Sequence, residues 1–138
     1  MERGLLITQQ LFNKDLFSKW LGIEIISAGD GTCKLKMTVR EEMCNGFGIA
    51  HGGIAYALAD SGLAFASNSR GRHALSIETS ISHFRPLKPA DEIIAEVKEL
   101  HLSFRTGVYE VILTTSRGEV VAVFKGTVFR KDVEWKTD

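Results

Sequence analysis

The stretch His51-Gly52-Gly53-Ile54-Ala55-Tyr56-Ala57-Leu58-Ala59-Asp60-Ser61-Gly62-Leu63-Ala64-Phe65-Ala66-Ser67-Asn68 decides the fold. It is rich in alanine and leucine, contains no proline, and carries one acidic group, Asp60. Its length suits a helix, and it is apolar nearly all the way round. Such a helix must be enclosed on most sides. Downstream of Arg70-Gly71-Arg72 the pattern changes to period two and stays there. Residues 73–84, 92–102, 107–116 and 120–130 read as strands, separated by Pro86 and Pro89, by Arg105-Thr106-Gly107, and by Ser116-Arg117-Gly118. Upstream, Lys34 to Arg40 alternates strictly and Ile23 to Ala28 is a short strand. The turn Gly29-Asp30-Gly31 joins them into a hairpin. Thr8 to Leu21 carries Leu11, Phe12, Leu16, Phe17, Trp20 and Leu21 at helical spacing, with Gly22 as the stop. Glu41 to Ala50 has no period and reads as a loop. The order is helix, two strands, a long buried helix, four strands. Short turns make the strands antiparallel, and six of them can wrap one apolar helix. The expectation is an α+β chain with a curved antiparallel sheet around a central helix.

At 138 residues the chain predicts one domain spanning 1–138. It has 44% apolar and 25% charged residues, an ordinary globular composition. Seventeen basic and seventeen acidic side chains cancel, which argues against nucleic acid or an anionic membrane as partner. Residues 1–8 hold only a three-residue apolar run, too short for a secretory signal of about 7–15 residues. The longest apolar stretch, Gly52 to Ala66, is broken by Asp60 and falls short of the ~20 residues that span a bilayer. A cytoplasmic protein is expected. Cys33 and Cys44 form no C-x-x-C pair, so they read as reduced thiols. Cys44 lies near His51, which leaves a Cys/His nucleophilic pair as an alternative. His51, His73, His83 and His101 are scattered over several elements and imply no metal. The even spacing of His73 and His83 places both on one strand face.

Asp60 is the leading candidate for chemistry. An ionised carboxylate in an enclosed helix costs several kcal/mol unless it is paired or its pKa rises, and perturbed acids gather at functional sites. A structural Asp fully satisfied by hydrogen bonds is the alternative. At ~100° per residue, Tyr56, Asp60 and Ser67 fall within about 40° of one another, either facing a pocket or capping a subunit contact. The second element is Asn45-Gly46-Phe47-Gly48-Ile49-Ala50-His51-Gly52-Gly53. Two glycines at a helix start leave backbone N–H groups pointing outward at the positive end of the helix dipole, an arrangement suited to an oxyanion. The alternative is a plain loop-to-helix turn. The fragment Gly46-x-Gly48 does not continue into a nucleotide loop, because position 51 is His and no Gly-Lys-Ser/Thr follows. His51 and Asp60 are nine residues apart, which is ~13.5 Å of rise and about 900° of rotation, a net half-turn. The glycine N–H groups and the carboxylate of one chain therefore point opposite ways. If both act on one substrate, a two-fold partner supplies one of them.

Asn45-Gly46-x4-His51-Gly52-Gly53-x4-Leu58-x-Asp60, followed by Phe84-Arg85-Pro86 and the strand-rich tail, resembles the hotdog-fold acyl-CoA thioesterases. The likeness is to the phenylacetic-acid-degradation type and extends from Trp20-Leu21-Gly22-Ile23 to Thr127-Val128-Phe129-Arg130. It departs at Ala90-Asp91, where that family often has Gly-Asp in a turn. The resemblance implies a cofactor-free hydrolase of an aryl- or medium-chain acyl-CoA, assembled as a homodimer at least and as a homotetramer built from dimers. It implies that the Gly52 N–H polarises the thioester carbonyl, Asn45 holds the attacking water, His51 orients the loop, and Asp60 of the partner chain is base or nucleophile. Gly53, Tyr56, Ser67 and Arg85 are expected to line the substrate. Coenzyme A phosphates need cations, and Arg70, Arg72, Arg85, Lys88 and Arg105 are available. Two other readings stay open: an acyl-thioester hydratase of the same fold, and a non-catalytic acyl- or aryl-binding module walled by Phe65, Phe84, Phe104 and Tyr109.

Overall fold

The computed structural model describes residues 2–137. The strands are β1 (Glu24–Gly29), β2 (Thr32–Thr38), β3 (Arg72–His83), β4 (Glu92–Leu102), β5 (Thr106–Thr115) and β6 (Val120–Glu134). They form one six-stranded antiparallel sheet in the order β1-β2-β4-β5-β6-β3. The tight turns make hairpins of β1–β2, β4–β5 and β5–β6. β3 follows the long helix and returns to the far edge, so it pairs with the last strand. The central helix, α3 (Gly52–Asn68), lies against this sheet, giving the hotdog architecture that the resemblance implies.

The helix packs very close to the sheet because two glycines make room. A Cβ on Gly62 would stand 2.9 Å from Val97 Cγ2, and one on Gly126 only 2.5 Å from Leu63 Cδ2. Leu58, Ala59, Leu63, Phe65 and Ala66 of the helix are buried with Leu35, Val97, Val111 and Phe124 of the sheet. Burying each large apolar side chain stabilises the fold by about 1.5–3 kcal/mol. Beyond its first turn, one strip of α3 stays half-buried: Tyr56, Ala57, Asp60 and Ala64. The helix is enclosed on the remaining sides, as its composition requires.

The N-terminal helix expected over residues 8–21 is two helices, α1 (Arg3–Lys14) and α2 (Leu16–Leu21). Asp15 makes the break. Its side chain accepts from the Ser18 N–H at 3.0 Å and from the Ser18 hydroxyl at 2.5 Å, so it caps α2 instead of continuing α1. The helix also begins earlier than expected, at Arg3. Gly4 permits this, since a Cβ there would meet Gly29 Cα at 2.8 Å. Residues 41–50 contain a 3₁₀ turn at Glu41–Met43 and a bridge from Cys44 to Ala50, and β6 runs four residues past the expected Arg130.

The edge strand β3 contains an irregularity that changes which side chains face the helix. Ser76 pairs with Val128 and Glu78 with Thr127, leaving Ile77 as an extra residue. Alternation therefore shifts across the bulge. His73 and His83 do not share a face, contrary to the even-spacing argument. His73 stacks on Trp135 with centroids 4.3 Å apart, whereas His83 turns toward the start of α3.

Candidate active site

The loop before α3 is held at both ends. The His51 N–H donates to Met43 O at 2.8 Å and the Ala50 N–H to Leu87 O at 2.7 Å. Asn45 folds its own loop, accepting from the Phe47 N–H at Oδ1 (2.9 Å) and from the Gly48 N–H at its carbonyl. That leaves the Asn45 amide NH2 as the donor free of protein partners among the described residues. His51 is the N-cap of α3 and accepts the Gly53 N–H at Nδ1 (3.0 Å). Accepting at Nδ1 requires a neutral ring with its proton on Nε2.

Of the two glycine N–H groups at the helix start, one is thus committed to the cap. The Gly52 N–H meets no acceptor among the described residues. It sits at the positive end of a 17-residue helix. Around it opens a hollow of about 360 Å³ that brings together Asn45, His51, Gly52, His83 and Arg85. His83 is close enough that its Nε2 would lie 3.6 Å from a Cβ on Gly52. Even spacing with His73 gives no sign of this position; the bulge in β3 is what turns His83 into this hollow. Arg85 stands at the rim, 3.1 Å from Glu119, and continues into an adjoining groove.

Asp60 lies elsewhere. It opens into a separate hollow of about 190 Å³ with Ser67, Ala74, Leu75 and Ser76. The two hollows have no residue in common. The half-turn of helix between His51 and Asp60 separates them. Partial burial raises the Asp60 pKa, and the charge of Asp15 pushes it further the same way. Tyr56, placed with Asp60 on one helical face, opens into neither hollow. Its hydroxyl bonds to Thr79 Oγ1 and its ring packs edge-on against Phe124 at 5.3 Å. Ser67 is buried and its hydroxyl donates to Ala64 O at 3.3 Å.

The thiols stay outside this chemistry. Burial pushes the Cys33 thiol up to about 12. Cys44 Sγ is 3.8 Å from Arg40 O and does not line the hollow.

An unpartnered N–H at a helix start, a neutral histidine cap and a desolvated carboxylate are the parts needed to stabilise an oxyanion and supply a base. Residues 47–122 match the family described as the thioesterase superfamily, and the chain belongs to it: this is an enzyme of the thioester-hydrolase class. Among its relatives is the acyl-coenzyme A thioesterase PaaI of Escherichia coli, 35% identical over 87% of this chain and 86% of that protein. The E. coli PaaI structure, from the phenylacetic acid degradation operon, matches with a TM-score of 0.93 at 32% identity, covering 96% of both chains. A mutant form of the phenylacetic acid degradation protein PaaI from Thermus thermophilus matches at 0.82 and 39% identity, over 85% of this chain and 100% of that one. The smu.793 protein of Streptococcus mutans UA159, solved bound to acetyl CoA, matches at 0.79 and 25% identity, over 83% and 91%.

Proposed function

We propose that the chain hydrolyses an aryl- or medium-chain acyl-CoA to the free acid and coenzyme A, at a site shared between two protomers. The Gly52 N–H of one protomer polarises the thioester carbonyl and receives the developing oxyanion. Asn45 of the same protomer holds the water through its free amide NH2. Asp60 of the other protomer takes the proton from that water or attacks the carbonyl itself, and the thiol of coenzyme A leaves. His51 shapes the loop through its bond to Gly53. The carrying observation is the Gly52 N–H, the one donor at the helix start left unmet among the described residues. The separation of the two hollows supports sharing. So does the free edge strand β3, whose Leu75 and Ile77 are each 62% exposed and which suits pairing with a second copy. Dimers formed this way, paired again, give the homotetramer. Among the described residues no helix is long and apolar enough to cross a membrane. The activities named for the relatives support acyl-CoA as the substrate class.

The test is release of free thiol from a panel of aromatic and aliphatic acyl-CoAs, with an enoyl-CoA in parallel. Hydrolysis of a saturated or aryl member, lost at least ~10²-fold in a folded Asp60→Ala variant, is the expected result. Hydration of the enoyl-CoA without thiol release, or unchanged turnover in the variant, overturns it.

A further inference from the structure

At the end of the sheet remote from Gly52, three arginines gather around Phe104 in the β4–β5 turn. The guanidinium carbons of Arg72 and Arg105 lie 4.4 and 4.7 Å from the centre of the Phe104 ring. Arg72 donates through Nη2 to the Phe104 carbonyl, and Arg130 through Nη1 to the Ser103 carbonyl at 2.7 Å. The backbones are tied as well, the Arg130 N–H donating to Arg105 O at 2.7 Å. None of the three makes an ion pair among the described residues. Glu99, whose charge bears on Arg130, is already occupied by Arg70 (3.0 and 2.7 Å) and by the Tyr109 hydroxyl at 2.9 Å. Glu134, opposite Arg72 in the ladder, lies 3.9 Å from Arg3 instead. Arg72 Nη1 is buried with no hydrogen-bond partner among the described residues. Burial, and then the charge of Arg72, hold the Arg130 guanidinium below its ordinary value.

Unpaired like charges held together, with a buried donor unmet, are unfavourable unless an anion joins them. The Phe104 ring fixes two of the guanidiniums by cation–π attraction, so their forks are set before any ligand arrives. Three cations ask for a multiply charged partner, and guanidinium forks match phosphate oxygens. We propose that Arg72, Arg105 and Arg130, arranged around Phe104, bind a phosphate-bearing anion.

Two sources share that chemistry. Arg72 opens β3 and His83 closes it, about 36 Å apart at ~3.3 Å per residue, too far to serve one ligand within one chain. Antiparallel pairing of the free β3 edges brings the Arg72 end of one protomer beside the partner's His83. The anion is then the nucleotide end of an acyl-CoA whose thioester lies at the partner's Gly52; this source rests on the shared-site reading above, whereas the anion site does not. The other source is a free phosphate compound.

Calorimetric titration of the full chain with adenosine 3′,5′-bisphosphate and with inorganic phosphate tests the site. Binding of the bisphosphate that weakens with salt is expected. Arg105→Gln, at an exposed position, and Arg72→Gln each weaken it at least tenfold, while Lys125→Gln leaves it within twofold. No binding to the unaltered protein, or equal binding by Arg105→Gln and Lys125→Gln, overturns the proposal. Kinetics then separate the sources. A tenfold higher KM for acyl-CoA with acyl-pantetheine unchanged in Arg105→Gln identifies the substrate's nucleotide. Loss of bisphosphate binding with both KM values unchanged identifies the free compound. If no acyl-CoA is hydrolysed, the functional reading fails, and the titration still decides the anion site.

Discussion

Two inactive variants that rescue each other would expose how the site is divided. The first is Gly52→Pro. Position 52 is the first residue of α3, where proline is favoured because its missing N–H has no intrahelical partner anyway. His51 before it is already extended (φ −57°, ψ 139°), as a residue preceding proline must be. A Cβ there meets nothing closer than His83 Nε2 at 3.6 Å. The substitution therefore deletes the proposed oxyanion donor and leaves the helix, with an expected loss of about 10²–10³ in kcat. The second is Asp60→Asn, which keeps the shape and removes the base. Each is close to inactive alone. When equal amounts are unfolded together and refolded, half of the dimers are mixed. A mixed dimer has one site with both defects and one with neither. Half of the dimers carrying one of two sites gives about one quarter of unaltered activity, provided pairing is random and two-fold. If one chain held both elements, every site in every dimer would carry a defect. Thiol release assayed against the mixing ratio should trace a parabola peaking at equal amounts. A flat baseline at every ratio would refute the shared site.

Other outcomes follow from particular contacts. Because Asp60 must be ionised to act, activity falls as pH drops through its raised pKa; Asp15→Asn removes the like charge, lowers that pKa, and moves the acid limb of kcat/KM to lower pH. A limb that stays in place or moves up contradicts the coupling. Gly126→Ala sets a methyl 2.5 Å from Leu63 Cδ2 and is expected to destabilise the chain by about 1–3 kcal/mol in urea unfolding, lowering Tm by several degrees. Mild iodoacetamide should alkylate Cys44 well before Cys33, whose thiol burial pushes up to about 12; peptide mass spectrometry reads the order, and equal labelling would be inconsistent with that burial.

The parts of this molecule legible in the sequence are those set by period and by helical rotation. An apolar helix with one carboxylate, flanked by alternating strands, implies a wrapped helix, and counting residues from His51 to Asp60 is enough to separate the hollows. What stayed hidden depends on contacts between distant residues. Asp15 breaks the first helix by capping Ser18, a local competition that the apolar spacing of Leu11, Leu16 and Trp20 does not register. His83 joins the Gly52 hollow only because Ile77 is an extra residue opposite β6, and a bulge leaves no mark in an alternation pattern read from one strand. Gly53 and Tyr56 looked available for a ligand until their partners, His51 and Thr79, were placed. The unpaired state of Arg72 and Arg105, against the carboxylates held by Arg70 and Arg85, is likewise a matter of tertiary neighbours.

The bulge at Ile77 also bears on which strands can join the sheet. A free edge offers its unpaired N–H and C=O groups to any extended chain, which is the usual route to aggregation. An irregular edge is choosier. A regular foreign strand crossing residues 76–78 loses step with the ladder and leaves polar groups unmatched. In the dimer proposed above, a second copy running the opposite way carries the same irregularity at the symmetry-related place. In the proposed dimer, a single surplus isoleucine would then favour the chain's own twin at this edge over a regular strand.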